Sequence, residues 1–181
     1  MTNKTILTSL VIIPPSDKQE SIQTIRRAHD REFSKWMPHI NIIYPFCTIN
    51  LMDEIIPKIE KICDKIPKFN LTLSKFIFLK HITGRATITL APEPKEAIEE
   101  IQSKIEIVLP EYNDISRFEG GFKPHLSIGQ ASDEQDARAL IQKFRYDWEN
   151  IEFTVESLFV VSRTDKTPYK IYKEIKLCKK T

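Results

Sequence analysis

Two stretches of the chain place a histidine directly after a proline: Met-Pro-His-Ile-Asn-Ile at 37–42 and Lys-Pro-His-Leu-Ser-Ile at 123–128. With 11 prolines and 4 histidines in the chain, chance gives roughly a quarter of one such pair. In both stretches a branched aliphatic, a small polar residue and an isoleucine follow the histidine. Residues two apart in an extended chain share a face. His39 is therefore expected beside Asn41, and His125 beside Ser127, with Ile40, Ile42, Leu126 and Ile128 on the opposite faces. Two imidazoles facing each other form an acid–base pair: one takes a proton from an attacking hydroxyl or water, the other gives one to the leaving oxygen. Imidazole suits both parts because its pKa lies near neutrality. Asn41 and Ser127 are then placed to hydrogen-bond the non-bridging oxygens of a phosphoryl group. No metal or other cofactor is expected, because no carboxylates stand near these histidines in a ligand-like spacing.

Apolar spacing shows what must position the pair. Strand patterns run over Leu7–Ile13, His39–Phe46, Phe69–His81, Arg85–Ala91 and His125–Gln130, and close the chain over Ile151–Arg163 and Tyr169–Leu177. Helical stripes run over 17–36 (Ile22, Ile25, His29, Phe33, Trp36), 52–66, 95–109 and 133–148, with Ser132 as the expected N-cap of the last. Alternation changes phase at Ser74-Lys75, as a bulge requires, and 111–123 with Gly120-Gly121 reads as a loop. The order strand–helix–strand–helix–strand occurs twice, roughly 80 residues apart, and the middle strand of each copy begins with Pro-His. The expected fold is a single α+β domain over 1–181. It is bilobal and pseudo-twofold, with lobe-forming halves of approximately 1–83 and 84–181. Two antiparallel sheets flanked by helices should meet at a central groove.

Bulk properties narrow the partners. The net charge of +2 is too small for a long-duplex footprint, and no apolar run approaches a membrane span. The first residues lack the pattern of a secretory leader, and Cys47, Cys63 and Cys178 lack a paired spacing, so a cytoplasmic monomer is the expectation. Cys63 reads as buried packing and Cys47 as more open. His81-Ile82-Thr83 mimics the two motifs but lacks the preceding proline and the following aliphatic, so His81 is assigned to the surface beside a turn at Thr83-Gly84. His29, on an apolar stripe, is read as a hydrogen-bonded core histidine. Arg163 and Lys123 are candidates for phosphate contact. Tyr44, Phe122 and Tyr169 are candidates for base stacking, with ordinary packing as the alternative.

The two motifs resemble the paired His-x-Ser/Thr signatures of the 2H phosphoesterase superfamily, which includes the 2'-5' RNA ligase-like and cyclic phosphodiesterase families. Ala-His-Asp (28–30), Phe33, Trp36 and Pro-His-Ile-Asn-Ile-Ile-Tyr-Pro-Phe (38–46) are similar to its eukaryotic and viral branch. So are Gly-Phe-Lys-Pro-His-Leu-Ser-Ile-Gly (121–129) and Val-Glu-Ser-Leu-Phe-Val-Val-Ser-Arg (155–163). The resemblance implies a bilobal α+β fold and metal-free action on a 2',3'-cyclic phosphate, a 2'-5' linkage or a related nucleotide phosphodiester. It implies a catalytic pair at His39 and His125, with phosphate held by Asn41 and Ser127. Asn41 departs from the commoner Ser or Thr, although an amide also donates to phosphate. The expected partner is a nucleotide or short RNA. A catalytically weak RNA-end or nucleotide-binding module, and a 2'-5' ligase running the same transfer backwards, stand as alternatives.

Overall fold

Alternating apolar and polar residues form ten strands, and 3.6-residue stripes form four helices, in a computed structural model that describes residues 3–117 and 120–178. The order is β1 (Lys4–Thr5), β2 (Thr8–Ile12), α1 (Glu20–His29), β3 (Ile40–Ile43), β4 (Phe46–Cys47), α2 (Met52–Cys63) and β5 (Phe69–Lys80). There follow β6 (Ala86–Glu93), α3 (Lys95–Val108), β7 (Leu126–Ala131), α4 (Glu134–Tyr146), β8 (Ile151–Val155), β9 (Ser157–Ser162) and β10 (Lys170–Lys176). β1 and β4 pair as a small ribbon; the other eight strands run antiparallel in the order β10-β9-β2-β3-β7-β6-β5-β8.

The long sheet consists of two four-stranded halves. β3 and β7 meet through the single residue pair Ile40↔Leu126, whereas the neighbouring ladders are longer. Read outward from that junction, β3-β2-β9-β10 mirrors β7-β6-β5-β8. The two Pro-His strands are thus the innermost strands of a pseudo-twofold α+β fold. Each also carries the same irregularity. The β2–β3 register skips at Ile42, the β6–β7 register skips at Ile128, and both are the third residue after a histidine.

The strands of the halves are exchanged. β5 joins β6 and β8, while β9 joins β2 and carries β10 on its other edge. The half-sheets are therefore not built from 1–83 and 84–181 separately. The expected single strand 151–163 breaks at Glu156, where the chain passes from β8 in one half to β9 in the other. Helical stripes cover the apolar face: Ile22, Ile55, Ile59, Ile98, Ile101, Ile105 and Ala137 are buried with Leu10, Ile12, Ile40, Ile42, Ile88, Leu90, Leu126 and Ile128. Each such aliphatic side chain contributes about 1.5–3 kcal/mol of burial. Gly129 lets α1 approach this strand, since a Cβ there would lie 2.9 Å from the His29 Cβ.

Several boundaries differ from the expectation. α1 ends at His29 instead of Trp36, because the Asp30 carboxylate bonds the Glu32 backbone N–H (2.9 Å) and draws 31–35 into turns. The N-cap of α4 is Asp133, whose Oδ1 accepts from the Asp136 N–H (2.9 Å); Ser132 instead donates to Asp136 Oδ2. The expected loop 111–123 contains short turns of 3-10 helix at Pro110–Tyr112 and Asp114–Ser116, and its residues 118 and 119 lie outside the described residues. Cys47 is not open: it is fully buried, and burial pushes its thiol up to about 12, as it does that of Cys63. His29 is half-buried and meets Phe144 edge-on (5.0 Å) rather than serving as a hydrogen-bonded core residue. No helix among the described residues is long and apolar enough to cross a membrane.

Candidate active site

The ladder pair Ile40↔Leu126 decides how the histidines meet. Each histidine immediately precedes its member of that pair, so continuing the antiparallel register sets His39 opposite Ser127 and Asn41 opposite His125. The four side chains share the face opposite the buried aliphatics. His39 and His125 are diagonal neighbours, about 7–8 Å apart where such a ladder continues and farther where the strands part.

Both imidazoles are held the same way. His39 Nδ1 lies 2.8 Å from the Met37 carbonyl oxygen, and His125 Nδ1 lies 2.7 Å from that of Lys123. A carbonyl only accepts, so each Nδ1 carries the proton and donates it, leaving Nε2 of the neutral ring as an acceptor. The proline between carbonyl and histidine explains the recurrence. It removes the N–H at the start of the strand and biases the preceding residue to an extended conformation, which presents that residue's carbonyl to the ring. Burial lowers the pKa of His39 to about 4, opposed by the Met37 bond and reinforced by the Arg26 and His125 charges. Burial also lowers His125, against the Lys123 bond.

Behind His39 stands an aromatic stack whose Trp36 the helical spacing had placed on a helix. The Trp36 ring lies parallel to the His39 imidazole (4.3 Å, 18°), and Tyr169 lies parallel to Trp36 on a 3.4 Å centroid spacing. Arg163 sits 5.4 Å from the Tyr169 ring centroid, and Tyr44 meets Trp36 edge-on. Tyr169 is almost wholly buried and donates to the Ile6 carbonyl; burial raises its phenol pKa. Tyr169 and Arg163 thus form the layer behind Trp36, where Arg163 Nη1 donates to the Thr164 carbonyl (3.2 Å) and the buried Nε has no hydrogen-bond partner among the described residues. Phe122 is half-buried and packs against the main core. Lys123 contributes its carbonyl to His125, while its ammonium lies over Gly120.

Three further residues, Ser9, Arg26 and Asp30, were given no role from the sequence. The buried Ser9 hydroxyl lies between the Asn41 side-chain amide (2.8 Å) and the Ile43 carbonyl oxygen (2.9 Å), and so fixes the Asn41 amide from behind. A serine beside Thr8 in the mostly apolar run Leu7–Ile13 is the only trace of this in the sequence. The buried Arg26–Asp30 pair (2.8 Å) ties the histidine strands together. Arg26 Nη2 donates to the Trp36 carbonyl (2.9 Å), and Asp30 Oδ1 accepts from Gln130 Nε2 (2.9 Å) at the far end of β7. His81 lies away from the pair: its Nε2 meets Thr87 Oγ1 (2.8 Å), and its backbone closes the β5–β6 turn at Gly84.

Similarity to known proteins points the same way as this geometry. A protein of Oceanobacillus iheyensis named "Putative phosphoesterase OB1230" is 19% identical over 164 residues, covering 90% of this chain and 93% of that protein. The structure of TT0787 from Thermus thermophilus superposes with a TM-score of 0.64 at 14% identity, covering 96% and 99% of the two chains. E. coli LigT complexed with 3'-AMP gives a TM-score of 0.63 at 13% identity, covering 94% and 97%. Residues 14–167 match the 2'-5' RNA ligase superfamily, most of the chain, and the chain belongs to that family.

Proposed function

We propose that this protein is a metal-independent phosphodiesterase that cleaves a 2',3'-cyclic phosphate, a 2'-5' linkage or a related nucleotide phosphodiester with His39 and His125. The observation that carries the reading is the matched tethering of both rings through Nδ1, which leaves two Nε2 atoms on one face with Asn41 and Ser127 beside them. One neutral Nε2 takes a proton from water as its oxygen bonds to phosphorus. The other, protonated, gives its proton to the sugar oxygen as the P–O bond breaks. Asn41 Nδ2 and Ser127 Oγ donate to the non-bridging oxygens, where charge builds. E. coli LigT with 3'-AMP bound supports a small nucleotide as the ligand class.

Among the described residues no group of three His, Cys, Asp or Glu is placed to hold a metal ion. Hydrolysis of 2',3'-cyclic mononucleotides and 2'-5' dinucleotides, followed by product mass, is expected to proceed at an unchanged rate in excess EDTA. Turnover lost in EDTA and restored by Zn²⁺ or Mn²⁺ contradicts the metal-free mechanism.

The lowered histidine pKa values set the pH dependence. The competent free enzyme has one ring neutral and one protonated. It fades on the acid side as the base gains a proton, and on the alkaline side as the acid loses one. With both rings shifted down, kcat/KM is expected to be bell-shaped with its maximum on the acid side of pH 6.5, the two limbs belonging to the pair. A bound phosphate anion favours the imidazolium, so the alkaline limb of kcat should lie at higher pH than that of kcat/KM. A profile that only rises through neutrality indicates a single base. Asn41→Ala and Ser127→Ala are expected to lower kcat by at most about 10²–10³-fold, the worth of one strong oxyanion donor.

A further inference from the structure

Thr89 carries a hydroxyl that the fold does not use. The residue lies on β6 and is fully buried, and its Oγ1 has no hydrogen-bond partner among the described residues. A buried donor left unpaired destabilises a fold, whereas an apolar group of the same shape in its place is neutral or stabilising. The pseudo-twofold offers that comparison. Thr89 is the cross-strand partner of Ser127 and Val11 is the cross-strand partner of Asn41, each next to the register skip of its ladder. Val11 is equally buried, so an aliphatic of the same shape fills this position in one half and threonine fills it in the other.

The halves also differ in how the residues beside the histidines are held. Asn41 is fixed from behind by Ser9, two residues before Val11. Two residues before Thr89 stands Thr87, whose hydroxyl is bonded to His81 Nε2 (2.8 Å). Ser127 Oγ has no hydrogen-bond partner among the described residues. Directly across the ladder from it is Thr89. Side chains directly opposite in an antiparallel pair have Cβ atoms about 4.5–5.5 Å apart, and threonine and serine hydroxyls at that spacing hydrogen-bond across the strands. Rotation of Thr89 about χ1 from one staggered well to another turns its Oγ1 toward Ser127.

We infer that Thr89 is a positioning residue for the phosphoryl group. Its hydroxyl donates to Ser127 Oγ when Ser127 donates to a non-bridging oxygen, so the serine's lone pair is occupied and its proton is aimed at the phosphate. A hydroxyl already donating to an anion is a stronger acceptor, and this draws the buried donor out of its unpaired state. In the liganded protein Thr89 then does for Ser127 what Ser9 does for Asn41. The inference rests on the phosphodiesterase reading for the contact of Ser127 with phosphate.

The test compares wild type, Thr89→Val, Thr89→Ser, Ser127→Ala and Thr89→Val combined with Ser127→Ala. Single-turnover rate on a 2',3'-cyclic nucleotide, calorimetric affinity for 3'-AMP and the urea midpoint are measured for each. Thr89→Val is expected to slow turnover about 3–10-fold, the worth of one neutral hydrogen bond, without lowering the midpoint. Thr89→Ser, which keeps the hydroxyl, should recover most of that rate while its midpoint falls with the lost methyl. In the Ser127→Ala background Thr89→Val should change nothing, because the group it acts through is gone. A purely structural role would move rate and midpoint together. An unchanged rate in Thr89→Val, a midpoint lowered by it, or losses that multiply with Ser127→Ala overturn the inference and leave the phosphodiesterase reading standing. No turnover, with the same non-additive pattern in 3'-AMP affinity, overturns the phosphodiesterase reading and leaves Thr89 in its role. Neither turnover nor 3'-AMP binding overturns both.

Discussion

His39→Ala and His125→Ala are each expected to lower kcat by about 10²–10⁴-fold, the usual contribution of one positioned acid or base, with a much smaller change in KM. Each ring is fixed by a carbonyl two residues upstream and offers Nε2 to the groove, so each alanine removes one proton transfer and leaves the phosphate donors in place. Both histidines are only half-buried and lie outside the apolar core, so the variants should keep the wild-type circular dichroism. His81→Ala is the control. Its ring is exposed, bonded to Thr87 and remote from the β3–β7 junction, and most activity should remain. Equal damage from His81→Ala and His39→Ala removes the assignment, as does near wild-type turnover in His125→Ala.

Asp30→Ala should be the most destabilising polar substitution near the site, by about 3–5 kcal/mol. It leaves the Arg26 guanidinium buried without its carboxylate and takes the acceptor from the Glu32 N–H and the Gln130 amide. The ties of α1 to the Trp36 turn and to β7 pass through this pair, so kcat should fall even where the protein remains folded. Replacing both partners together, as Arg26→Met with Asp30→Leu, should cost less than Asp30→Ala, because no unpaired charge is left behind. Urea unfolding with an unchanged slope and a lowered midpoint is the expected signature. A loss below about 1 kcal/mol shows that the pair is not what joins these elements.

Local features of the fold were legible in the sequence, because periodicity is a local property. The bulge anticipated at Ser74-Lys75 occurs between Leu73 and Lys75, the α3 stripe lies where it was read, and the turn at Thr83-Gly84 forms with Gly84 at φ +84°. Non-local pairing was not legible. The alternation of Ile151–Arg163 continues smoothly through Glu156, and nothing local tells that its first part pairs with β5 and its second with β2. The duplication was visible for the same reason that the exchange was hidden: each copy repeats its own pattern irrespective of the half-sheet its last strand joins.

The same division holds at the site. Pro-His-x-Asn and Pro-His-x-Ser placed His39 with Asn41 and His125 with Ser127, since that follows from strand geometry alone, whereas bringing the two pairs onto one face takes the Ile40↔Leu126 pairing. Trp36 was misread because an aromatic spaced three residues from Phe33 extends a helical stripe, whereas the Asp30 carboxylate ends the helix and turns the indole onto His39. Tyr169 and Arg163 were read as a stacking ring and a phosphate contact; their layer behind Trp36 depends on a β9–β10 connection that spacing does not encode. Ser9 carried no signal beyond its polarity, and its bond to Asn41 exists only once β2 and β3 pair.

That the two histidines act as one unit on one phosphoryl group is tested most directly by the double mutant. Single-turnover rates on a 2',3'-cyclic nucleotide would be compared for His39→Ala, His125→Ala and the two substitutions combined. Groups that serve the same step are strongly non-additive, so the combined variant should be no more than slightly slower than the slower single. Losses that multiply would mean that the two rings work independently, and would contradict the paired acid–base mechanism.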